Sequence, residues 1–208
     1  MLSDALRDLK GKDVVVLGIP RGGVVVARQV AAALGAPLDV VVTKKIGAPG
    51  EPEFAVGAVT QEGKAILNEE VVRLLGIESS YVKSEAARLT REVKARVLRF
   101  RGDRPYPSLK GKVVVIVDDG IATGSTASAA VKSVRAREPS AVVVAVPVAP
   151  AEAVAELSRE ADRVVCLETP DPFFAIGQFY SEFAQVDDEE VRRMLDEQLS
   201  VRTEGSSS

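Results

Sequence analysis

The chain has 208 residues, and its 46% hydrophobic content is enough for the core of one domain. The net charge of −3 gives no basic surface of the kind that binds duplex nucleic acid, so we expect no nucleic-acid partner. No apolar run approaches the roughly 18 residues of a membrane span and no leader-type segment opens the chain, so we expect a cytoplasmic protein with no membrane partner.

The chain opens with a strand, a glycine-rich turn and a helix. The β-branched run at 14–17 predicts a buried strand, and the periodic segment at 24–34 predicts a helix. Between them, Arg21, Gly22 and Gly23 are typical of an exposed tight turn. The same residues would also suit an anion site, because glycines allow close backbone approach and arginine supplies charge.

A second strand, at 38–42, ends in the basic pair Lys44 and Lys45, which would ordinarily form a solvated turn. The stretch that follows, 46–53, is rich in glycine and proline and lacks periodicity, so it predicts an irregular and mobile loop. Apolar segments on either side of 60–63 then predict a β-hairpin.

A long helix is predicted at 78–99, where opposite charges recur at i,i+4 spacing. A basic cluster follows it, made of Arg99, Arg101 and Arg104. The cluster fits a solvated helix end, and it also fits cations that reach an anion on a neighbouring subunit.

The most informative segment is 113–130, with the sequence VVVIVDDGIATGSTASAA. Its five leading apolar residues predict a strand buried on both faces, and its alanine-rich end predicts a helix. Asp118 and Asp119 stand where the strand ends, and a loop of glycine and hydroxyl residues joins them to the helix. This order points backbone N–H groups and a helix N-terminus at an anion such as phosphate.

The two acids narrow the choice of phosphate. The loop lacks the lysine of the GxxxxGKS or GxxxxGKT pattern, and the GxGxxG pattern is absent. Adjacent carboxylates would repel a polyphosphate unless they hold sugar hydroxyls or Mg²⁺, so a phosphorylated ribose fits. The alternative is an acidic turn in which Ser125 or Thr126 caps the helix.

Strands and helices continue to alternate after this segment. The pattern predicts an α/β fold, a doubly wound and mainly parallel sheet with helices on both faces. Five of the nine aromatic residues fall within 170–183, where they would pack on the sheet or stack on a planar base. A terminal helix is predicted at 187–199 and a disordered tail at 201–208.

The 113–130 segment resembles the phosphoribosyl-pyrophosphate motif of the type I phosphoribosyltransferases: apolar residues, two acids, variable residues and a Thr-Gly-x-Thr core. The match here is VVVIV-DD-GIA-TGST. The turn at 21–23 is similar to the family's pyrophosphate loop. The resemblance covers most of the chain and implies one domain at 1–200, with a flexible hairpin loop at about 43–66 and a hood at about 168–186.

The resemblance implies a role for each part of the site. Asp118 and Asp119 would be catalytic, binding the ribose 2- and 3-hydroxyls and, directly or indirectly, Mg²⁺. The 5-phosphate would be bound by five consecutive residues: Ala122, Thr123, Gly124, Ser125 and Thr126. Pyrophosphate would be bound by the turn and the lysine pair, with Lys44 also catalytic: Arg21, Gly22, Gly23, Lys44 and Lys45. A strained or cis peptide is expected near Pro20–Arg21, and a base is expected to stack on Phe174 or, second, Phe173.

The implied function is a transferase, a pentosyltransferase that moves ribose 5-phosphate from phosphoribosyl pyrophosphate to a nitrogenous acceptor such as a nucleobase. Histidine is absent, so no imidazole base takes part. Ala122 and Ser181 stand where 6-oxopurine enzymes carry acids, which disfavours hypoxanthine and guanine. The family also implies a possible homodimer. The main alternative is a non-catalytic regulatory protein that senses phosphoribosyl pyrophosphate or a nucleotide, and a sugar-phosphate hydrolase lacks a visible base.

Overall fold

The computed structural model describes residues 1–205, with side chains described throughout except at residue 53 and residues 199–205. Seven α-helices occur in this range: α1 Leu2–Ala5, α2 Gly22–Leu34, α3 Glu69–Leu74, α4 Ser79–Arg101, α5 Ser125–Arg135, α6 Ala151–Leu157 and α7 Asp188–Gly205. Eight strands accompany them: β1 Val14–Gly18, β2 Leu38–Val40, β3 Lys44–Ala48, β4 Glu51–Val59, β5 Ala65–Leu67, β6 Val113–Val117, β7 Ala141–Val148 and β8 Arg163–Glu168. Short 3-10 helices span Arg7–Leu9 and Ile176–Phe179.

Five strands form a central sheet in the order β2-β1-β6-β7-β8, and every neighbouring pair is parallel. The predicted α/β arrangement is confirmed. β1 lies beside β6, with Val14 opposite Val113 and Gly18 opposite Val117. Because the two strands run in the same direction, the turns that follow them leave the same edge of the sheet.

Helices cover both faces of this sheet. Val16 and Val115 belong to a hydrophobic layer that includes residues of α2, α4 and α7. Leu17 and Ile116, the next residues along each strand, belong to a second layer with α5 and α6. Burial on both faces explains why these strands are continuous apolar runs in the sequence, with no alternation of polar side chains.

The segment after β2 departs from the prediction. The stretch 46–53, predicted to be irregular, forms most of β3 and the start of β4, paired as an antiparallel hairpin. The register shifts on both sides of Gly47, and Gly50 has a left-handed φ of 79°. Such bulges interrupt the two-residue period by which a strand is identified in sequence, so the strands were missed.

β4 continues into the hairpin that the sequence predicted, pairing with β5 in an antiparallel register. Together β3, β4 and β5 form a small second sheet, which we call the cover sheet (β3-β4-β5). The cover sheet packs against α4 and α5. It therefore lies next to the helix that follows the acidic motif.

The terminal helix α7 extends to Gly205, so residues 201–205 are helical although a disordered tail was predicted from 201; residues 206–208 lie outside the described range. Val191 and Leu195 anchor the helix in the core. A helix nucleated in this way gains one hydrogen bond for each residue added, so it can extend beyond its apolar periodicity. Within residues 1–205, no helix combines the length and the apolarity that crossing a membrane demands.

Candidate functional site

Two turns meet at the carboxyl edge of the central sheet. The turn after β1 leads into Gly22 and Gly23, the first residues of α2, and β6 is followed directly by Asp118 and Asp119. A Cβ atom built on Gly22 would lie 1.9 Å from Asp119 Oδ2. One built on Gly23 would lie 2.7 Å from Asp118 Oδ1. Any side chain here would overlap a carboxylate, so the two glycines allow the turn and the acid pair to be in contact.

Arg21 ends the first of these turns, and its peptide bond with Pro20 is cis, as the family resemblance implied. The Arg21 side chain is partly exposed, and its Nη1 lies 3.6 Å from Asp188 Oδ1 at the start of α7. Arg99 of α4 donates to the other oxygen of the same carboxylate, with Nη1 3.0 Å from Oδ2. No motif in the sequence indicated this link between the turn and two distant helices.

The loop after the acid pair encloses a cavity of about 180 Å³. Asp118 lines it, together with all five residues predicted to bind the 5-phosphate: Ala122, Thr123, Gly124, Ser125 and Thr126. The hydroxyls of Thr123 and Ser125 lie 3.1 Å apart. The structure therefore brings the predicted phosphate ligands together around one small space.

The helix α5 starts beside this cavity. Its N-cap is Gly124, with φ 77°, and in this fully described part of the chain no side chain caps the helix. The interpretation that Ser125 or Thr126 caps the helix above an acidic turn is therefore wrong. The first N–H groups of a helix have no partner within it, so they can donate to an anion in the cavity.

The two aspartates are electrostatically crowded. Burial raises the pKa of the Asp118 carboxyl well above its ordinary value, and the charge of Asp119 raises it further. Burial also raises the pKa of the Asp119 carboxyl. Ionising both groups side by side is unfavourable, and hydroxyl donors or a cation would relieve that repulsion. A sugar diol and Mg²⁺ are both suitable partners.

The acid pair could supply two of the ligands of a Mg²⁺ ion whose remaining ligands come from water and a bound substrate. Among the described residues, no group of three or more His, Cys, Asp or Glu side chains could hold a metal ion. Mg²⁺ in enzymes is commonly bound by one or two carboxylates, with waters and substrate phosphates as the other ligands. Asp118 and Asp119 match the carboxylate share of that set.

Lys44 and Lys45 begin β3 and differ in their surroundings, because successive side chains of a strand point to opposite faces. Lys44 forms an ion pair with Glu92 of α4. Lys45 lines a cavity of about 400 Å³ beside α5, to which Ser125 of the phosphate loop also contributes. The structure therefore distinguishes two lysines that the sequence could not.

Both lysines also line a cavity of about 460 Å³ between the cover sheet, α4 and α5. Pro20, next to Arg21, and Thr126 of the phosphate loop line the same cavity. Arg88 and Arg96 of α4 add two more cations to its wall, and Glu85 of α4, which pairs with Arg88, adds one carboxylate. A space bordered by both turns and by several basic side chains suits a multiply charged anion.

The basic cluster at the end of α4 has a structural role. Arg101 is 7% exposed, and its Nε and Nη2 donate to the two oxygens of Asp39 at 2.7 and 3.0 Å. Its guanidinium also lies 4.8 Å from the centre of the Tyr106 ring. Arg104 pairs with Asp196 of α7 at 3.1 Å. Neither a solvated helix end nor an anion site on a neighbouring subunit describes Arg101, which is a buried and bidentate ion-pair partner.

The aromatic segment 170–183, which we call the hood segment, has a packed part and an exposed part. Phe173 packs against Phe179, with ring centroids 5.1 Å apart. Phe174 is 82% exposed. Ile176 covers the acid loop so closely that a Cβ on Gly120 would lie 2.6 Å from its Cγ2. Of the two candidate stacking residues, Phe174 therefore has its ring available.

Tyr180 is a site residue that the sequence analysis missed. Its hydroxyl donates to the backbone carbonyl of Asp119 at 2.5 Å. Burial, together with the charges of Asp119 and Asp118, raises the pKa of Tyr180 to about 12, so the phenol remains a protonated donor. In the sequence, Tyr180 is one of several aromatic residues in the hood segment, and nothing there distinguishes it from the others.

A family model described as the phosphoribosyl transferase domain matches residues 1–183. The chain belongs to this family. Its central parallel sheet flanked by helices is the fold of the type I phosphoribosyltransferases, so the family and fold predicted from the 113–130 segment are confirmed. Family membership supports a transferase, and the acceptor stays unassigned.

Two curated relatives carry names that agree with this membership, and solved structures also resemble the chain. Two Mycobacterium tuberculosis proteins, MT0597 and Rv0571c, are provisionally named phosphoribosyl transferases, and each is 48% identical over 94% of this chain and 44% of its own. The chain thus spans less than half the length of these relatives. The crystal structure of TT1426 from Thermus thermophilus matches with 47% identity and a TM-score of 0.89, over 95% of this chain and 93% of its own. A purine phosphoribosyltransferase from Pyrococcus horikoshii aligns at 23% identity and a TM-score of 0.44, over 79% and 76%.

Proposed function

We propose that the protein transfers ribose 5-phosphate from phosphoribosyl pyrophosphate to a nitrogenous acceptor and releases pyrophosphate. The contact between the acid pair and the Gly22-Gly23 turn, directly beside the 180 Å³ cavity, supports this proposal most strongly. A diol-binding group, a phosphate-sized space and a second backbone cradle are adjacent there. These are the three features that a pyrophosphorylated ribose phosphate requires.

In this proposal each part of the donor has its own set of residues. The 5-phosphate lies in the cavity of residues 122–126, where the N-terminus of α5 and the Thr123 and Ser125 hydroxyls donate to it. The ribose hydroxyls donate to Asp118 and Asp119. Pyrophosphate binds the backbone of residues 21–23 and the cations around the 460 Å³ cavity.

The chemistry depends on charge stabilisation. As pyrophosphate departs, positive charge develops on the ribose ring and negative charge on the leaving group. The carboxylates of Asp118 and Asp119 stabilise the first, and Arg21, Lys44 and Lys45 stabilise the second: a fixed set of charges needs no reorganisation during the reaction. Mg²⁺, which the two aspartates would hold, supplies further neutralisation of the pyrophosphate charge. The acceptor nitrogen bonds to the anomeric carbon as the bond from that carbon to the pyrophosphate oxygen breaks, and the proton that the nitrogen loses passes to the departing pyrophosphate or to water.

The proposed acceptor is a nucleobase that stacks on Phe174, whose exposed ring stands two residues before Ile176, the residue that covers the acid loop. Ala122 provides no carboxylate to assist at a base, so hypoxanthine and guanine are disfavoured as acceptors.

A second candidate function is a regulatory protein that senses phosphoribosyl pyrophosphate or a nucleotide. It is favoured by one observation: Lys44 and Arg21 are both ion-paired with helices outside the motif, through which occupancy of the site could be transmitted.

The deciding experiment measures pyrophosphate release from phosphoribosyl pyrophosphate and Mg²⁺ across a panel of purine and pyrimidine bases. We expect release that depends on one base and yields the corresponding nucleotide. A reaction without any base measures hydrolysis and serves as the control. Binding of phosphoribosyl pyrophosphate without release for any base would reject the transferase on this panel and favour the sensor.

A further inference from the structure

Two cations that we place on pyrophosphate are each paired with a carboxylate from a helix outside the motif. Lys44 pairs with Glu92 of α4. Arg21 lies 3.6 Å from Asp188 of α7. The two pairs have no residue in common: Lys44 begins β3 and pairs with α4, whereas Arg21 precedes α2 and pairs with α7. In both, the free protein places a negative charge where an anionic ligand would bring its own.

Both carboxylates are held in place from a second side. The other oxygen of Glu92 accepts from Arg88, four residues earlier on α4. The other oxygen of Asp188 accepts from Arg99 at 3.0 Å. Hydrogen bonds to Lys44 and Arg99, respectively, are the main cause of the lowered pKa of the Glu92 and Asp188 carboxyls, so both are ionised at neutral pH.

The helix α4 contributes to both arrangements. Glu92 contacts Lys44 directly, and Arg99 fixes the carboxylate that faces Arg21. Residues 92 and 99 are seven positions apart, which places them on the same side of a helix about two turns from each other. One side of α4 therefore sets the electrostatic surroundings of both cations.

Folding alone gives little reason for these pairs. The side chains of Lys44 and Glu92 are 35% and 37% exposed, and those of Arg21 and Asp188 are 44% and 24% exposed. Ion pairs with this degree of exposure contribute little to stability. They have a larger effect on an incoming anion, because the ligand and the carboxylate compete for the same N–H donors and the same charge.

We propose that Glu92 and Asp188 are competing carboxylates of the site, which pair with Lys44 and Arg21 in the free protein and must be exchanged for an anionic ligand. The exchange weakens the retention of pyrophosphate and so speeds its release. This inference rests on the proposed function, because it assigns the two cations to pyrophosphate.

The test is the affinity for inorganic pyrophosphate with Mg²⁺, measured by calorimetry at physiological salt. Glu92→Gln and Asp188→Asn should each bind pyrophosphate about three- to fivefold more tightly than the wild type, the effect expected for losing one partly exposed competing charge. Glu197→Gln is the matched control. Glu197 lies on α7, as Asp188 does, and pairs at 2.7 Å with Arg28 of α2, and neither of these two residues lines the cavities beside the lysines. Its loss should change affinity by less than about twofold after screening by salt.

A double-mutant cycle separates the contact from the general charge. In a Lys44→Met background, Glu92→Gln should tighten pyrophosphate binding less than it does in the wild type, because one of the two cations paired with the carboxylate is gone and only Arg88 remains. Asp188→Asn should likewise have a smaller effect in an Arg21→Gln background. Unchanged or weaker binding in both single variants overturns the inference, and so does tightening of the same size with and without the partner cation.

The outcome is distinguishable from that of the transferase assay. Base-dependent transfer by the wild type, with unaltered pyrophosphate affinity in both variants, overturns this inference and leaves the transferase standing. A wild-type protein that binds neither pyrophosphate nor phosphoribosyl pyrophosphate overturns both. During turnover, we expect product inhibition by pyrophosphate to be stronger in Glu92→Gln than in the control variant Glu197→Gln.

Discussion

The acid loop, residues 118–126, and the hood segment, residues 170–183, line the same site but are held in different ways. Backbone and glycine contacts enclose the acid loop: Gly22 fits against Asp119, and Gly120 fits beneath Ile176. The hood segment reaches the loop through a few side chains, such as Ile176 and Tyr180, and leaves Phe174 in solvent. A tightly enclosed loop suits a ligand part that never varies, and an open segment suits a part that differs between relatives.

The largest expected effect tests the acid loop directly. Asp118→Asn combined with Asp119→Asn should reduce base-dependent transfer by more than about a thousandfold, because both charges facing the ribose ring are removed. Circular dichroism and calorimetry would establish that the fold is retained. Turnover close to that of the wild type in a folded double variant would contradict the assigned role of the loop.

The same double variant should be more stable than the wild type without ligand. Burial raises the pKa of both carboxyls in the folded state, so ionising them opposes folding as pH rises through the raised values. We expect a gain of about 1 kcal/mol at pH 7, seen as a Tm higher by a few degrees. The gain should disappear below about pH 4, where the aspartates are protonated in the unfolded chain as well. A variant that is less stable at pH 7 would argue against crowding of the acids.

A smaller effect tests how closely the loop is enclosed. Gly22→Ala places a methyl group where Asp119 Oδ2 now lies, 1.9 Å from the new Cβ, so the turn or the carboxylate must move. A displacement of this size should lower kcat/KM by about a hundredfold. The stability lost by Gly22→Ala should be smaller in an Asp119→Ala background, where the overlapping atom is absent. Equal losses in both backgrounds would show that the contact with Asp119 is not the cause.

The smallest effect tests the hood segment. Phe174→Ala removes a ring that is 82% exposed, so stability should hardly change. The KM for the acceptor should rise by about tenfold, the value of one stacking contact, while the KM for phosphoribosyl pyrophosphate stays constant. Phe173→Ala is the comparison, since Phe173 packs on Phe179 and its loss should lower Tm. A rise in the KM for phosphoribosyl pyrophosphate would contradict our proposal that the hood segment binds the acceptor and the acid loop binds the donor.

Features formed by residues close together in the chain could be predicted from the sequence, whereas features formed by distant residues could not. The strand at 113–117, the acids after it and the helix at 125 are consecutive, so their order in the sequence is also their order in space. The turn at Gly22 and Gly23 could be placed beside them because parallel neighbours share an edge. The prediction of an irregular loop at 46–53 was wrong because bulges at Gly47 masked the strand period.

Other features depended on contacts between residues far apart in the chain. The Lys44–Glu92 pair spans 48 positions, the Tyr180 contact with Asp119 spans 61, and the Arg101–Asp39 pair spans 62. A lone tyrosine or arginine in the sequence carries no sign of its partner. For that reason Arg101 was interpreted as surface charge although it is buried, and Tyr180 was not distinguished from other aromatics.

By itself, the sequence determined the family and the parallel sheet, because local hydrophobic pattern and loop chemistry specify them, and it predicted which acids and loop residues form the site. The tertiary structure alone decided that β3 pairs with the start of β4, that Lys44 and Lys45 differ in their surroundings, and that Glu92 and Asp188 face two cations of the candidate site. The physical reason is that pairing between distant charges and the packing of one sheet on two helices arise only when the whole chain has folded.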